Sequence, residues 1–308
     1  MLFCRRIYLR LAALGLVSSA LLPAQLTNPV ELWKHPTPPP NVRLSYGDDP
    51  LQFGELRLPE GNGPFPIAIL IHGGCWEVKL KSLPEGVTSF ELLRPMAAAL
   101  AKAGIATWNV EYRRLGNAGG GWPGTYLDLG KAADYLRELA ARYHLDLKRV
   151  IVAGHSSGGQ LAVWLAARAK APKTSPLFEP SPLPLIGVVD VDGPPDLKAD
   201  RAIEQTACGA PVITQFMGGT PAEFPDRYRE GSASGLIPIG VRQVVFVSTL
   251  INEPWFSLFK QYVEDDQKAG DDVRLIPMTG AGHFDGINPQ SSTWQPVLQS
   301  IQTLLKRP

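Results

Sequence analysis

The sequence predicts an α/β fold: a mostly parallel sheet with helices on both faces. Three observations carry this. Short apolar segments alternate with segments of helical periodicity along most of the chain. One of them, Ile67-Ala68-Ile69-Leu70-Ile71, is unbroken by any polar residue, as suits a strand buried on both faces. The chain of 308 residues is long enough for one large domain, and it shows neither an internal repeat nor a second-domain boundary.

The elements follow in order. A cationic start with Arg5, Arg6 and Arg10 precedes an apolar stretch at 11–22, too short to span a bilayer, which needs about 20 residues. Residues 1–24 therefore read as a signal peptide of the Sec or twin-arginine type, cleaved after Ala24 or Ala20. The protein is then exported, periplasmic or extracellular, with no stable membrane insertion after processing. Its net charge changes from +1 to −2, because three arginines leave with the signal and no acids do. Residues 25–45 form an N-terminal arm or linker containing the Pro-rich stretch 35–40. The main domain spans 46–308.

Strands are expected at 42–46 and 51–58, separated by Gly47-Asp48-Asp49-Pro50, then at 65–72. A helix at 90–103 ends at Gly104, the residue type favoured past a helix end. The strand 105–112 follows. Leu129, Ala132, Ala133, Leu136, Leu139, Ala140 and Tyr143 then recur at helical spacing. The alternation continues as strand 149–153, helix 158–169 and strands 185–191 and 244–248. Helix 255–269, strand 273–278 and a terminal helix at 294–306 complete it. The exception is 192–240, rich in Gly and Pro, which is expected to be an irregular insert over one end of the sheet.

Composition excludes several classes of function. No basic block exists, so nucleic acid is not an expected partner. No His or Cys spacing suits a metal, and no metal or other cofactor is expected. Cys75 and Cys208 could pair in an oxidising compartment, but spacing cannot bring two sulfurs together. Gly119-Gly120-Gly121-Trp122-Pro123-Gly124 has the form of a dinucleotide fingerprint. Six residues separate it from its strand and Pro123 interrupts it, so nucleotide binding is rejected. Trp122 and Trp76 instead line an acyl pocket or belong to the core.

Gly154-His155-Ser156-Ser157-Gly158 stands where a strand hands over to a helix. A serine there sits on a sharp turn with its hydroxyl lifted above the sheet, and the N–H of the next residue can face a developing oxyanion. Ser156 is the candidate nucleophile and Ser157 a backbone donor. Gly73 and Gly74, at the end of the buried strand, can approach an acyl oxygen closely and complete the oxyanion hole. Of five histidines, only His283 lies on a loop after the last strand, and it is the candidate general base.

The set His72-Gly-Gly-Cys-Trp, Trp108-Asn-Val-Glu-Tyr-Arg-Arg, Gly154-His-Ser-Ser-Gly-Gly and Gly282-His-Phe-Asp resembles the α/β-hydrolase superfamily. It is most similar to the secreted esterase-like branch related to feruloyl-esterase and arylformamidase-type enzymes. The resemblance runs from about Leu51 to the C-terminus. It implies the α/β-hydrolase fold with an eight-stranded sheet, a serine, acid, histidine order of the triad, and hydrolysis of carboxylic esters through an acyl-enzyme. The partner implied is a small-molecule ester with a small or aromatic acyl group. Oligomeric state is not legible.

The acid departs from the family pattern, which places an aspartate after the penultimate strand. Here Val247 to Trp255 contains none, and Ile251 or Asn252 occupies the place. An asparagine supplies no charge for the imidazolium, and in a serine protease that exchange lowers turnover by ~10⁴. Glu253 is adjacent, and Pro254 after it favours an extended backbone that could aim it at His283. Glu253 is thus the favoured acid, with Asp192 the alternative and the lack of any functional acid a third reading. That third reading admits a catalytically impaired hydrolase fold that binds a ligand. Amide or formamide hydrolysis would use the same parts as ester hydrolysis.

Overall fold

The structure is a computed structural model that describes residues 26–78, 83–251 and 253–306, with Glu253 by its backbone alone. The segment read as a signal peptide and Asn252 lie outside the described residues. In chain order, α1 (Pro29–Lys34) and β1 (Val42–Ser45) precede β2 (Phe53–Arg57) and β3 (Phe65–Ile71). Next come α2 (Ser89–Leu92), α3 (Arg94–Lys102), β4 (Ala106–Val110), α4 (Gly124–Asp134), α5 (Leu136–Tyr143) and β5 (Leu145–His155). After α6 (Ser157–Ala167) and β6 (Gly187–Val191) stand α7 (Leu197–Asp200), α8 (Glu204–Cys208), α9 (Val212–Phe216) and α10 (Pro225–Gly231). The chain closes with β7 (Arg242–Ser248), α11 (Glu253–Ala269), β8 (Val273–Met278) and α12 (Trp294–Leu305).

The strands form one eight-stranded sheet in the order β1-β2-β4-β3-β5-β6-β7-β8. β1 and β2 pair antiparallel at one edge, and β2 meets β4 antiparallel. From β4 to β8 every pairing is parallel. Because side chains alternate across a strand, β3 sends Ile67, Ile69 and Ile71 into one core and Ala68 and Leu70 into the other. β5 divides in the same way, with Val150 and Val152 on one side and Ile151 and Ala153 on the other. This is why the apolar runs are unbroken. The α/β-hydrolase architecture expected from the sequence is the one observed.

Two expectations need correction. The helix expected at 90–103 is two helices, because Pro95 has no N–H to continue the first and sits instead in the opening turn of α3. The insert at 192–240 is not irregular but holds four short helices and a 3₁₀ turn, Ala233–Leu236. The arm at 25–45 carries α1, and the strand expected at 42–46 is β1.

The helix α11, which carries Trp255 to the sheet edge, is tied to β7 through a buried polar cluster. Tyr262 Oη donates to Gln243 Oε1 at 2.7 Å, and the Gln243 amide donates to Asp266. Asp271 accepts the N–H of Ile239 at 2.5 Å and of Gly240 at 3.1 Å. Burial, and then the neighbouring Asp271 carboxylate, push the Asp266 carboxyl up to about 7. Two close carboxyls cannot both ionise cheaply.

A folded-state value above the unfolded ~3.9 means that stability is full at acid pH and falls as pH rises through about 7. Asp266→Asn keeps the shape and stays neutral. Its Tm is expected to fall less than that of the parent between pH 5 and 8. Parallel Tm profiles over that range would contradict this account.

Candidate active site

The carboxyl ends of the parallel strands β3, β5, β6, β7 and β8 converge at one edge of the sheet, where α/β folds bind their ligands. Ser156 stands between β5 and α6 with φ 56° and ψ −133°, a left-handed backbone that few non-glycine residues adopt. Its N–H donates to Val191 O at the end of β6, at 2.8 Å. A Cβ on Gly154 would lie 2.0 Å from Gly158 O, so the strand and helix can cross this tightly only without side chains there.

The glycine loop after β3 approaches the same point. A Cβ on Gly73 would be 2.8 Å from the Ser156 Cβ. Among the described residues, the N–H groups of Gly73 and Gly74 are not taken up by any hydrogen bond. Ser157 opens α6, so its N–H has no carbonyl one turn back. These are the three donors that the sequence singled out, and Gly74 and Ser157 both face the same cavity as Ser156.

Cys75 and Trp76 follow with φ 52° and 56°, two consecutive strained residues. Their conformation is held by Trp76 N donating to Ser157 Oγ at 3.2 Å and by the indole N–H donating to Gln160 Oε1 at 3.1 Å. A disulfide from Cys75 to Cys208, with a Cα–Cα distance of 5.9 Å, fastens the loop to α8 of the insert. Behind the loop, Ser89 Oγ donates to Gly73 O at 2.5 Å, and His72 holds Glu111 at 3.0 Å. Burial alone would raise the Glu111 carboxyl. The charge and hydrogen bond of His72, with the Arg114 charge, outweigh burial and hold it below the usual range.

His283 lies on the loop after β8, half-buried beside the cavity. His155 packs against it with ring centroids 4.6 Å apart. Burial, and then the charge of His283, push His155 well below the usual histidine range, so it is neutral near pH 7. Its Nε2 lies 2.8 Å from His283 O; as the Nε2–H tautomer it donates there and fixes the backbone of the loop.

The carboxylate brought to His283 is that of Asp192. Its Oδ2 lies 3.5 Å from His283 Nδ1 and is fully buried. This exceeds ordinary hydrogen-bond length but lies within ion-pair reach. Asp192 Oδ1 accepts Ser248 N at 2.7 Å, and Ser248 Oγ lies 2.7 Å from Oδ2 and 2.9 Å from Gly282 O. One hydroxyl proton serves either acceptor. Asp190, two residues earlier on β6, is pushed well above the usual carboxylate range by burial and accepts Gly193 N at 2.7 Å. It lies behind Asp192, which faces the histidine.

Glu253, the acid favoured by sequence, opens α11, and its side chain lies outside the described residues. Pro254 does not hold Glu253 extended; it occupies the first turn of α11, where a missing N–H is harmless. Counting along the chain from the end of β7, where Ser248 stands, leads to Glu253, whereas Asp192 stands just past the end of β6. The position of Asp192 before Gly193-Pro194-Pro195, at a strand end, was the available signal. The roles of His155 and Ser248 had no signal in sequence.

Ser156, His283, Gly74 and Ser157 share a cavity of 340 Å³ whose other walls include Trp76, Trp255, Phe284 and Leu92. Both cysteines of the disulfide also face it. Trp122 does not, and packs instead against Tyr126 in the core. Among the described residues no cluster of His, Cys, Asp or Glu could hold a metal, and no helix is long and apolar enough to cross a membrane.

The BD-FAE family model matches residues 55–239. Among solved structures, a truncated carbohydrate esterase from gut microbiota is similar with a TM-score of 0.66 at 18% identity, covering 87% of this chain and 97% of that one. A bacterial heroin esterase gives 0.67 at 19% identity, covering 86% and 84%. Esterase B from Lactobacillus rhamnosis gives 0.70 at 19%, covering 89% and 90%. At such identities the likeness is one of fold. No curated protein matches the chain.

The geometry around His283 makes a direct comparison. Asp192→Asn is expected to lower kcat by roughly 10³–10⁴, the scale seen when a triad aspartate loses its charge, with KM little changed. Glu253→Gln is expected to leave kcat within about twofold. Steady-state kinetics on an aryl ester decide it, and the reverse ranking would return the acid to Glu253.

Proposed function

The chain belongs to the BD-FAE family, an esterase group of the α/β-hydrolase superfamily, and from that premise we propose a serine hydrolase of carboxylic esters built on Ser156, His283 and Asp192. Ser156 Oγ attacks the acyl carbon while His283 removes its proton. Asp192, rather than Glu253, orients the imidazole and balances its charge in the transition state. The oxyanion is received by the N–H groups of Gly73, Gly74 and Ser157, each such donor being worth about 2.7–4 kcal/mol. His283 returns the proton to the departing alkoxide, and water then cleaves the acyl-enzyme.

The observation that carries this reading is the meeting, in one cavity, of a serine on a left-handed turn with His283 and Ser157. A carboxylate within reach of His283 supports a working hydrolase over an impaired, merely binding protein. The walls given by Trp76, Trp255, Phe284 and Leu92 suit a small or aromatic acyl group. The similar structures described as a carbohydrate esterase and a heroin esterase support ester rather than amide chemistry. Export through removal of residues 1–24 accords with the Cys75–Cys208 disulfide, a bond of oxidising compartments.

Ser156→Ala is expected to abolish hydrolysis of aryl acetates and feruloyl esters, and labelling by a fluorophosphonate, while the Tm stays near that of the parent. Equal labelling of parent and variant would overturn the assignment. Turnover of anilides at rates matching the esters would shift the reaction to amides.

A further inference from the structure

A carboxylate not used by the proposed chemistry is bonded into the loop that carries His283. Asp285 is 4% exposed and sits two residues beyond the histidine. Its Oδ2 accepts Gly282 N at 2.6 Å, and its own N–H donates to Gly282 O at 3.1 Å. Residues 282–285 are thus closed into a small ring of bonds with His283 inside it. The other oxygen, Oδ1, faces the opposite end of the chain. It accepts Thr27 N at 2.9 Å and Thr27 Oγ1 at 2.5 Å. Asn288 Nδ2 donates to the same Thr27 hydroxyl at 2.9 Å, and the Leu26 side chain lies over Gly282.

The segment then continues to the other flank of the site. Asn28 caps α1 by accepting Val30 N at 2.8 Å. Leu32, buried, enters the core shared with Leu92 and Leu93, and α1 packs on α2. Ser89, the first residue of α2, is the one that holds Gly73 O. One short segment therefore touches both the histidine loop and the helix behind the oxyanion loop. Neither Thr27 nor Asp285 faces the cavity.

We propose that residues 26–34 form a positioning strap for the hydrolytic site, with Thr27 acting on His283 through Asp285. The proposal rests on the reading of His283 as the general base. A buried carboxylate that loses donors must find others or draw in water, and the other partner of Asp285 is the ring at 282–285 that holds His283. Misplacing a base by an ångström slows the chemical step without altering the walls that bind substrate.

The test compares Thr27→Val, Thr27→Ala, Thr27→Ser and Asp285→Asn with the full-length parent. The measurements are kcat and KM on an aryl ester, the rate of fluorophosphonate labelling, and Tm. Thr27→Val and Thr27→Ala are expected to lower kcat and the labelling rate by tenfold or more with KM within twofold. Thr27→Ser, which keeps the hydroxyl, should recover most of the loss, and Asp285→Asn should match or exceed it. A lower Tm with parental kcat in both hydroxyl-less variants would overturn the strap, since that is what a merely structural contact gives. A rise in KM with kcat unchanged would overturn it as well. His283→Ala separates the two levels. If it is fully active, the reading of the base fails and the strap with it. If it is inactive while Thr27→Val behaves as the parent, the strap alone fails.

Discussion

The turn at Ser156 is the constraint on which the rest of the structure depends. The chain leaves a buried strand and enters a buried helix through one residue at φ 56°. Such a backbone costs on the order of 1–3 kcal/mol and persists only when its surroundings over-determine it. Here they do, through the bond from Ser156 N to Val191 O and the close crossing at Gly154 and Gly158. Asp192 repeats the device one strand over. It steps off β6 at φ 56°, and its N–H donates to Phe246 O of β7 at 2.9 Å. Adjacent parallel strands thus end in the same way, one presenting a hydroxyl and the other a carboxylate.

Between Asp192 and His283 lies the end of β7, which must let the acid of β6 reach a loop that follows β8. A small residue allows this. Ser248 gives its N–H to Asp192 and sets its hydroxyl between Asp192 and Gly282 O. The end of β7 thus bears the residue that steadies the Asp192 carboxylate. Three buried aspartates near this edge divide the work by environment. Asp190 is pushed well above the usual carboxylate range by burial, Asp192 faces the imidazole, and Asp285 binds the backbone beside it.

Much of this was legible in the sequence, for identifiable reasons. Strands buried on both faces write themselves as apolar runs, so the alternation and the sheet could be read from β3, β5 and β7. Ser156 and the glycines around it were legible because close backbone approach leaves few alternatives. The acid was harder. Counting along the chain finds Glu253 near the expected place, whereas Asp192 reaches His283 across an intervening strand, a relation in space and not in sequence. The helices of the insert have four to seven residues each, too few for a 3.6-residue period to show. The Thr27–Asp285 contact joins residues 258 apart, and the disulfide joins cysteines 133 apart. Neither leaves a local pattern.

A crystal structure of the enzyme inactivated by a fluorophosphonate tests the central claim most directly, because the phosphonyl group copies the tetrahedral intermediate. The account predicts phosphorus bonded to Ser156 Oγ. The phosphoryl oxygen should lie about 2.7–3.1 Å from the N–H of Ser157 and of Gly73 or Gly74, with Asp192 hydrogen-bonded to His283 Nδ1. An adduct on another residue, a phosphoryl oxygen turned away from those amides, or the Glu253 carboxylate on the imidazole would contradict it.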